Sequence, residues 1–249
     1  MSLIADAERA LLRNWRSVLL YIVLCALVVG LYRAAVNHMD QMVPAAMQPK
    51  PPWYVAANLA ADILLACVVS LFQACVYARL GSDIDKPLWK CRDDREAIVR
   101  FAKIWVMFNL LNFALMQLQN TMAGRDMLAA SVLIGMLALV WNLFYVPVGV
   151  CLMHRGGLKD LDLGEALMPM LHFLPRTLLV AGLGFLQLVL FELLVLSVPV
   201  PMQKLPWVIA SINVPLIYLE CLGVAIMWIT CAEYRGVAAE RHDNDDLDF

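Results

Sequence analysis

Six stretches of this chain are long and apolar and contain at most one charged residue each, and they constrain its fold more than any other feature. A helix needs about 20 residues to cross the hydrocarbon core of a bilayer, which is about 30 Å thick. Within lipid the backbone polar groups find partners only inside the helix itself, so such stretches must be helical. The sequence therefore predicts six transmembrane helices, near residues 17–36, 55–78, 104–122, 127–153, 177–198 and 207–232.

The composition supports a membrane protein and excludes a soluble one. Of the 249 residues, 62% are hydrophobic and 16% are charged, whereas a soluble domain contains about 25% charged residues. The first apolar run is longer than the core of a signal peptide and has no small-x-small cleavage site, which predicts a retained helix. We expect a single transmembrane domain, residues 1–249, surrounded by lipid.

Lysine and arginine residues are concentrated on one side of the predicted bundle. Fifteen of the 19 lie before the first span, in the second and fourth connections, or after the last span. The other four lie on the opposite side and are Arg33, Lys50, Arg125 and Lys204. Because short loops rich in lysine and arginine stay in the cytoplasm, both termini are predicted to be cytoplasmic, in a bacterial inner membrane. A count of five or seven spans would mix the two sets.

Three cytoplasmic segments share a pattern that marks the start of a helix. Residues 93–97 read Asp-Asp-Arg-Glu-Ala and residues 162–166 read Asp-Leu-Gly-Glu-Ala, with a looser copy at residues 6–10 that begins at Asp6. An aspartate three positions before a glutamate is typical of a capping box. Each copy precedes a hairpin of two spans. The sequence predicts an all-α integral membrane protein of three hairpins, each preceded by an amphipathic helix at the cytoplasmic interface, over residues 93–103 and 162–174 in the second and third units.

The capped Glu-Ala helix that leads into each hairpin resembles bacterial six-span membrane families, among them the YciC-like proteins. It is also similar to the membrane domain attached to some glycerophosphodiester phosphodiesterases. The resemblance extends over most of the chain and implies the six-span architecture. The chain has no room for the soluble phosphodiesterase domain, so the resemblance implies no catalytic residues.

Three carboxylates lie within the spans, at Asp62, Glu192 and Glu220. A charged residue at the centre of a membrane helix costs about 2.5–3.5 kcal/mol on insertion scales, so such residues usually face the bundle interior. At a rise of 1.5 Å per residue, Asp62 and Glu192 lie roughly 10 Å below the outer surface, near Arg33. This placement predicts an ion-paired cluster of the three. The alternative is that each carboxylate caps or pairs separately near the interface.

Glu220 lies near the middle of the last span, five residues after Pro215, which removes a helical hydrogen bond and is expected to kink the helix. No cationic residue is predicted at its depth, so the carboxyl group should be neutral or hydrogen-bonded. A broken helix beside a polar group at the midplane is typical of transport sites. The candidate partners at comparable depth are Asn109, Asn112 and Asn142.

The second span contains a stripe of small residues that continues from Asp62 at four-residue steps: Ala66, Ser70, Ala74 and Ala78. Small side chains on one face let two helix backbones approach closely. The stripe therefore predicts helix packing, and the alternative is that it lines a pore.

Residues 237–249 form an acidic C-terminal segment that contains Asp243, Asp245, Asp246 and Asp248. Such a concentration of charge predicts a solvated, disordered tail. The alternative is a docking peptide for a basic cytoplasmic partner, and the loop 81–103 is a second candidate for such docking.

The motifs of several function classes are missing from the sequence. There is no glycine-rich nucleotide-binding loop and no GxSxG elbow. The seven cysteines form no CxxC pair and the four histidines have no HxxxH or HExxH spacing, so no metal site is predicted. We expect no enzyme activity, no cofactor and no nucleic-acid partner.

Two functions from different classes remain. The preferred one is an accessory or scaffold subunit that contacts lipid and other membrane protein subunits. The alternative is a transporter component. It would be either a permease like those of ABC exporters, with the loop 81–103 as a coupling helix, or a carrier coupled to protons or ions.

The orientation can be tested with single cysteines in a cysteine-free background. We expect cysteines at positions 50 and 204 to react with a membrane-impermeant maleimide in intact cells, because both lie outside. Cysteines at positions 90 and 241 should react only after permeabilisation. Labelling of position 90 in intact cells would contradict the topology.

Overall fold

The computed structural model describes residues 2–43, 50–85, 94–125, 127–157, 162–199, 202 and 205–245. These residues form eight helices and no strand: α1 Leu3–Arg13, α2 Trp15–Met42, α3 Pro52–Ile84, α4 Asp94–Ala123, α5 Leu128–His154, α6 Leu163–His172, α7 Leu174–Ser197 and α8 Pro206–Asp245. Six of them, α2, α3, α4, α5, α7 and α8, are long and apolar enough to cross a membrane. The prediction of an all-α bundle with six spans is confirmed.

Several helices extend beyond the apolar stretches that predicted them. Helix α2 continues to Met42 and α3 continues to Ile84, because hydropathy marks only the part of a helix that suits lipid. Helix α8 continues to Asp245, where the sequence predicts a disordered tail from residue 237. The segment after Gly236, Val-Ala-Ala-Glu-Arg, consists mainly of good helix formers and contains no stop signal. Residues 246–249 lie outside the described part of the chain.

Two short helices precede the first and fifth spans. The predicted cap of α6 is confirmed, because the Asp162 carboxylate accepts hydrogen bonds from the backbone N–H groups of Gly164 and Glu165, at 2.9 and 3.3 Å. The predicted start of α1 at Asp6 is wrong. That helix begins at Leu3, and the Ser2 hydroxyl oxygen accepts from the Ala5 N–H at 3.3 Å. Ser2 is the earlier capping residue, so Asp6 falls inside the helix.

The third span has no separate helix before it. Residues 94–103, where an interfacial helix is predicted, form the first part of the continuous 30-residue helix α4. No proline or glycine occurs in α4 to interrupt it. In contrast, Pro175 follows the break between α6 and α7, and the Asn14 side chain bonds the Ala10 carbonyl at the break between α1 and α2. Residue 93 lies outside the described residues, and the threefold repeat stays a prediction.

The six long helices are arranged in a ring around a partly filled centre. Neighbouring contacts join α2 to α3, α3 to α4, α4 to α5, α5 to α7, α7 to α8, and α8 back to α2. Helix α8 also contacts α3 and α5 across the ring, and it is the most buried helix. In its most apolar stretch 67% of the residues are buried, against 11–28% in the other five long helices.

Buried side chains are concentrated in one half of the bundle, which we call the packed half. It comprises residues 70–81 of α3, 97–108 of α4, 147–153 of α5 and 221–231 of α8. Two glycines there leave space for fully buried tryptophans. A methyl group at Gly81 would overlap the ring of Trp228, and one at Gly149 would overlap the ring of Trp105. The packed half is therefore tight enough to exclude one additional carbon atom at these positions.

Ion pairs connect the helix ends beyond the packed half. The Asp85 carboxylate accepts a hydrogen bond from Arg235 and lies 3.4 Å from Nε2 of His154, which brings α8 and α5 against the end of α3. Other pairs attach the short helix α1 to α3, α6 to α5, and α7 to α8: Arg13–Asp83 at 3.0 Å, Arg155–Glu165 at 2.6 Å and Arg176–Glu233 at 2.5 Å.

Replacement of Gly81 by alanine tests the tight packing. Overpacking in a close-packed interior costs about 1–3 kcal/mol, which exceeds the gain of about 1 kcal/mol from replacing a helical glycine by alanine. We expect Gly81→Ala to lower the thermal unfolding midpoint of the detergent-purified protein. Gly182→Ala is the matched control, because a methyl group at Gly182 meets no atom within 4 Å. Equal midpoints for the two variants would contradict the described contact.

Candidate functional site

The half of the bundle opposite the packed half contains a cavity of about 570 Å³ between the six long helices. Every one of these helices contributes to its wall, which is apolar over most of its area. A cavity of this size, apolar with a few polar groups, is typical of small-molecule sites. The six carboxamide side chains in the wall are Gln73, Asn109, Asn112, Asn142, Gln187 and Asn213.

Glu220 lies in the cavity wall, at the end next to the packed half, and is bonded to α3. Its Oε1 accepts hydrogen bonds from Nε2 of Gln73, at 2.9 Å, and from the hydroxyl of Tyr77. No described residue donates to Oε2, and Oε2 is not among the buried atoms that lack a partner. One carboxyl oxygen is thus held by the protein and the other is accessible from the cavity.

The predicted partner of Glu220 is wrong. We expected Asn109, Asn112 or Asn142, but the direct partners are Gln73 and Tyr77. Asn109 is one hydrogen bond further away, because its Nδ2 donates to Oε1 of Gln73 at 2.8 Å.

Hydrogen bonds extend from Glu220 through three neighbouring helices. The hydroxyl of Tyr145 accepts from Gln73 at 2.9 Å and donates to Oδ1 of Asn109 at 2.7 Å, and Asn109 also donates to the hydroxyl of Ser70 at 2.8 Å. A polar group left without a partner in an apolar interior is costly, so these groups stabilise one another by bonding in pairs. We call this set the amide network: Ser70, Gln73, Asn109, Tyr145 and Glu220.

Aromatic rings close the cavity on the side of the packed half. Neighbouring ring centroids are 4.8–6.0 Å apart, mostly edge to face, which is the arrangement that aromatic quadrupoles favour. Tyr77 and Trp105 are completely buried, so no passage continues along them. We call this layer the aromatic floor: Tyr21, Tyr77, Trp105, Phe108, Trp141 and Tyr145.

The predicted cluster of Asp62, Glu192 and Arg33 is not formed. Asp62 lines the cavity and accepts a hydrogen bond from the hydroxyl of Tyr32, whereas Arg33 and Glu192 are exposed on the outside of the bundle. Among the described residues no ion pair joins any two of the three. Depth alone does not decide contact, because each residue turns a helix by about 100°. The inward face of α7 contains Leu188 and Phe191, and Glu192 points away from it.

Asn142 and the small-residue stripe both face the interior of the ring of helices. Asn142 donates to Oδ1 of Asn112 at 3.0 Å and to the Ala138 carbonyl at 2.8 Å, so it joins α5 to α4 in the cavity wall. Three members of the stripe are buried, at Ser70, Ala74 and Ala78, and the fourth, Ala66, lines the cavity. The three buried residues are packed between helices, and Ala66 lines a cavity that the aromatic floor closes.

Helix α8 is also bonded to α7 beside its proline. The side-chain amide of Gln187 donates to the backbone carbonyl of Leu216 at 2.5 Å, one residue after Pro215. Gln73, Tyr77 and Tyr145 were not predicted from the sequence as residues of the site. Gln73 and Tyr77 continue the helical face that begins at Asp62 and Ser70, so the stripe itself contained the signal for them.

Acids are the charged side chains in the described wall of the cavity. Asp62 and Glu220 line it, and the described lining contains no lysine, arginine or histidine. No group of three histidine, cysteine or acidic side chains among the described residues is placed to hold a metal ion. The site is therefore a polar, acidic end of an otherwise apolar cavity.

Comparison of the chain with protein families, with curated proteins and with solved structures finds no match. The resemblance to YciC-like proteins and to the membrane domain of glycerophosphodiester phosphodiesterases therefore stays a prediction.

The amide network can be tested through Gln73. Gln73→Leu removes the contacts to Glu220, Asn109 and Tyr145 together, and a buried polar group left unpaired costs about 1–3 kcal/mol. We expect a clear fall in the thermal unfolding midpoint. Asn213→Leu is the control, because the Asn213 amide donates to the carbonyl of Ile209 in its own helix. A smaller effect at Gln73 than at Asn213 would show that the network contributes little to stability.

Proposed function

We propose that this chain is a membrane carrier, or the solute-binding subunit of one, which holds a small solute in the cavity between its six spans. The observation that supports this function best is the cavity itself, about 570 Å³ in volume, with the amide network at one end. An unfilled space loses dispersion contacts along its lining, and polar groups in a membrane are costly. A bundle that served only to hold other subunits would need neither the unfilled cavity nor the buried polar groups.

The unequal packing of the two halves fits a carrier in one of its two states. The aromatic floor separates the cavity from the packed half. In the orientation that the basic residues favour, with both termini in the cytoplasm, the cavity lies towards the outside and the packed half towards the cytoplasm. Alternating access requires that one side be closed at a time, and the packed half would close the cytoplasmic side.

Helix α8 is the element best placed to move between two such states. It contacts four of the other long helices. It contains Pro215 at the level of the cavity, and Gly223 lies in the cavity wall. Proline removes a helical hydrogen bond and is a recognised cause of bending. A small rotation of α8 about this segment would change the cavity and the packed half together.

The ABC-type permease and the scaffold subunit have less support than the carrier. The proposed coupling helix of an ABC-type permease lies in the loop 81–103, of which residues 86–93 are outside the described residues. Residues 81–84 belong to α3 and residues 94–103 to α4. The role of a scaffold subunit stays a prediction, because no surface among the described residues gives specific support for it. A non-catalytic carrier in a bacterial inner membrane is therefore the function we propose.

Filling the cavity provides the experiment. The purified protein is screened by thermal unfolding against small cationic, neutral and anionic solutes, and any that stabilise it are tested for accumulation in proteoliposomes. Ala66→Phe places a large ring in the cavity wall. We expect at least one solute to stabilise and accumulate with the native protein and to lose both effects in this variant.

Leu64→Phe is the matched control, because Leu64 lies on the same helix and its side chain is 65% exposed on the outer surface. It should behave as the native protein does. If no solute stabilises the protein, or if Ala66→Phe retains the full effect, the cavity is not a solute site. Purification together with a defined set of membrane subunits would then favour the scaffold.

A further inference from the structure

We infer that the solute is a monovalent organic cation and that Glu220 exchanges its proton for this cation. This inference rests on the proposed carrier function and specifies the chemistry of the same cavity. Three features of the cavity support it: the sign of the charges in its wall, the free oxygen of Glu220 and the aromatic rings in its wall.

The charges in the cavity wall favour a cation and oppose an anion. Asp62 and Glu220 are its acids, and no basic side chain of the described lining offsets them. Charge–charge energies are large where water is scarce, since the effective dielectric constant is far below that of water. An anion would therefore be repelled by any carboxylate that is ionised here, and no basic side chain of the described lining would attract it. Asp62 lies 11 residues before Gln73 on α3, roughly 16 Å from the level of Glu220. It would attract a cation towards the deeper site.

The geometry of Glu220 provides a preformed acceptor. Gln73 and Tyr77 fix the carboxyl group through Oε1, so that its orientation is set before a ligand arrives. Oε2 has no described donor and remains accessible from the cavity. A cation placed there would pair with a carboxylate that needs no rearrangement, which lowers the entropic cost of binding.

The rest of the wall fits an organic cation better than a hydrated metal ion. Four aromatic residues line the cavity: Tyr21, Phe113, Tyr145 and Phe191. Aromatic faces attract weakly hydrated organic cations. Ca²⁺ takes six to eight oxygen ligands and Mg²⁺ an octahedral set, but the described residues contain no cluster of three metal-ligating groups. One free carboxyl oxygen matches a single positive charge.

The exchange balances in atoms and charge. In the empty site Glu220 carries its proton, because a carboxylate without a cationic partner is costly inside a membrane. When the cation binds, the O–H bond breaks, the proton leaves through the cavity to water, and the cation neutralises the carboxylate. Release of the cation reverses these steps. One proton is therefore exchanged for one monovalent cation, and the net charge of the site does not change.

The other ionisable groups around Glu220 do not compete for this role. They are Tyr77 of α3, Tyr21 and Cys25 of α2, Tyr145 of α5 and Cys221 of α8. Phenols and thiols ionise in the alkaline range. The faces that α4 and α7 present to the cavity contribute amides and apolar groups. Asp62 is the second carboxyl group in the cavity and is therefore compared with Glu220 in the experiment.

The experiment uses two ions of the same shape and opposite charge, tetraphenylphosphonium and tetraphenylborate. Equilibrium dialysis measures binding to the detergent-purified protein, and a pH indicator in weakly buffered solution measures the protons released. We expect the cation to bind and to release about one proton per ion. Its affinity should rise about tenfold per pH unit while Glu220 is protonated in the free protein. The borate should not bind in the cavity.

Glu220→Gln and Asp62→Asn separate the two acids. Glu220→Gln retains the shape and an acceptor oxygen but cannot lose a proton. We expect it to weaken cation binding at least about tenfold and to abolish proton release. Asp62→Asn should lower the cation affinity, because it removes the outer carboxylate, but it should still release about one proton for each cation bound, since Glu220 remains. Proton release that persists in Glu220→Gln would show that another group exchanges the proton and would overturn the inference.

A chemical probe covers the case in which Glu220→Gln does not fold. Dicyclohexylcarbodiimide adds to protonated carboxyl groups in apolar surroundings, and mass spectrometry locates the adduct. We expect labelling of the peptide that contains Glu220, with protection by tetraphenylphosphonium and none by tetraphenylborate. Absence of labelling at Glu220, or equal protection by both ions, would overturn the exchange.

Failure of this inference and failure of the carrier function are distinguishable. If tetraphenylborate or a neutral solute binds and Ala66→Phe abolishes that binding, the cavity is a solute site but the cation exchange is wrong. If neither ion binds, but another solute binds the native protein and not Ala66→Phe, the conclusion is again that the cavity is a solute site and the cation exchange is wrong. If no solute of any charge responds to Ala66→Phe, both proposals fall.

Discussion

The hydrogen bonds from Gln73 and Tyr77 to Glu220 are the interaction on which the rest of the bundle depends. They place a carboxyl group inside the bundle of membrane-spanning helices, where it would be too costly without donors. They also fix how α3 and α8 are rotated relative to each other, because both donors lie on one face of α3. Once that face points to the centre, Ser70 meets α4 and Gly81 meets Trp228. The cavity and the packed half follow from the same pairing.

A structural feature can be predicted from the sequence when residues close together in the chain determine it, and not when distant residues do. The spans could be predicted because mean hydropathy is a property of the local chain, and the Asp162 cap because a capping residue acts within one turn. Glu192 and Glu220 show what the local sequence does not predict. Both are carboxylates in apolar helices, yet Glu192 is exposed and Glu220 lines the cavity. The rotation of each helix decides the difference, and it is set by partners distant in the chain.

The candidate site was predicted in part for the same reason. Glu220 and Asn142 could be chosen from depth and residue type, but the choice of partner required the packed arrangement. The carboxylate is reached by Gln73 and Tyr77, and Asn109 is one bond behind them. The small-residue stripe in α3 pointed to the correct face. The small residues of the stripe do not bind Glu220 themselves. The polar residues that continue the same face towards the packed half do.

The position of α8 has a consequence for how the protein is made. The most buried of the six long helices is synthesised after the other five, so those five enter the bilayer before it. Gln73 and Asn109 can bond each other between the neighbouring helices α3 and α4 during that interval. Glu220 has no such local partner and finds its donors only on arrival. Assembly of the bundle is therefore a late event in biosynthesis, and a ribosome that stops before α8 releases five helices without the one that is most buried.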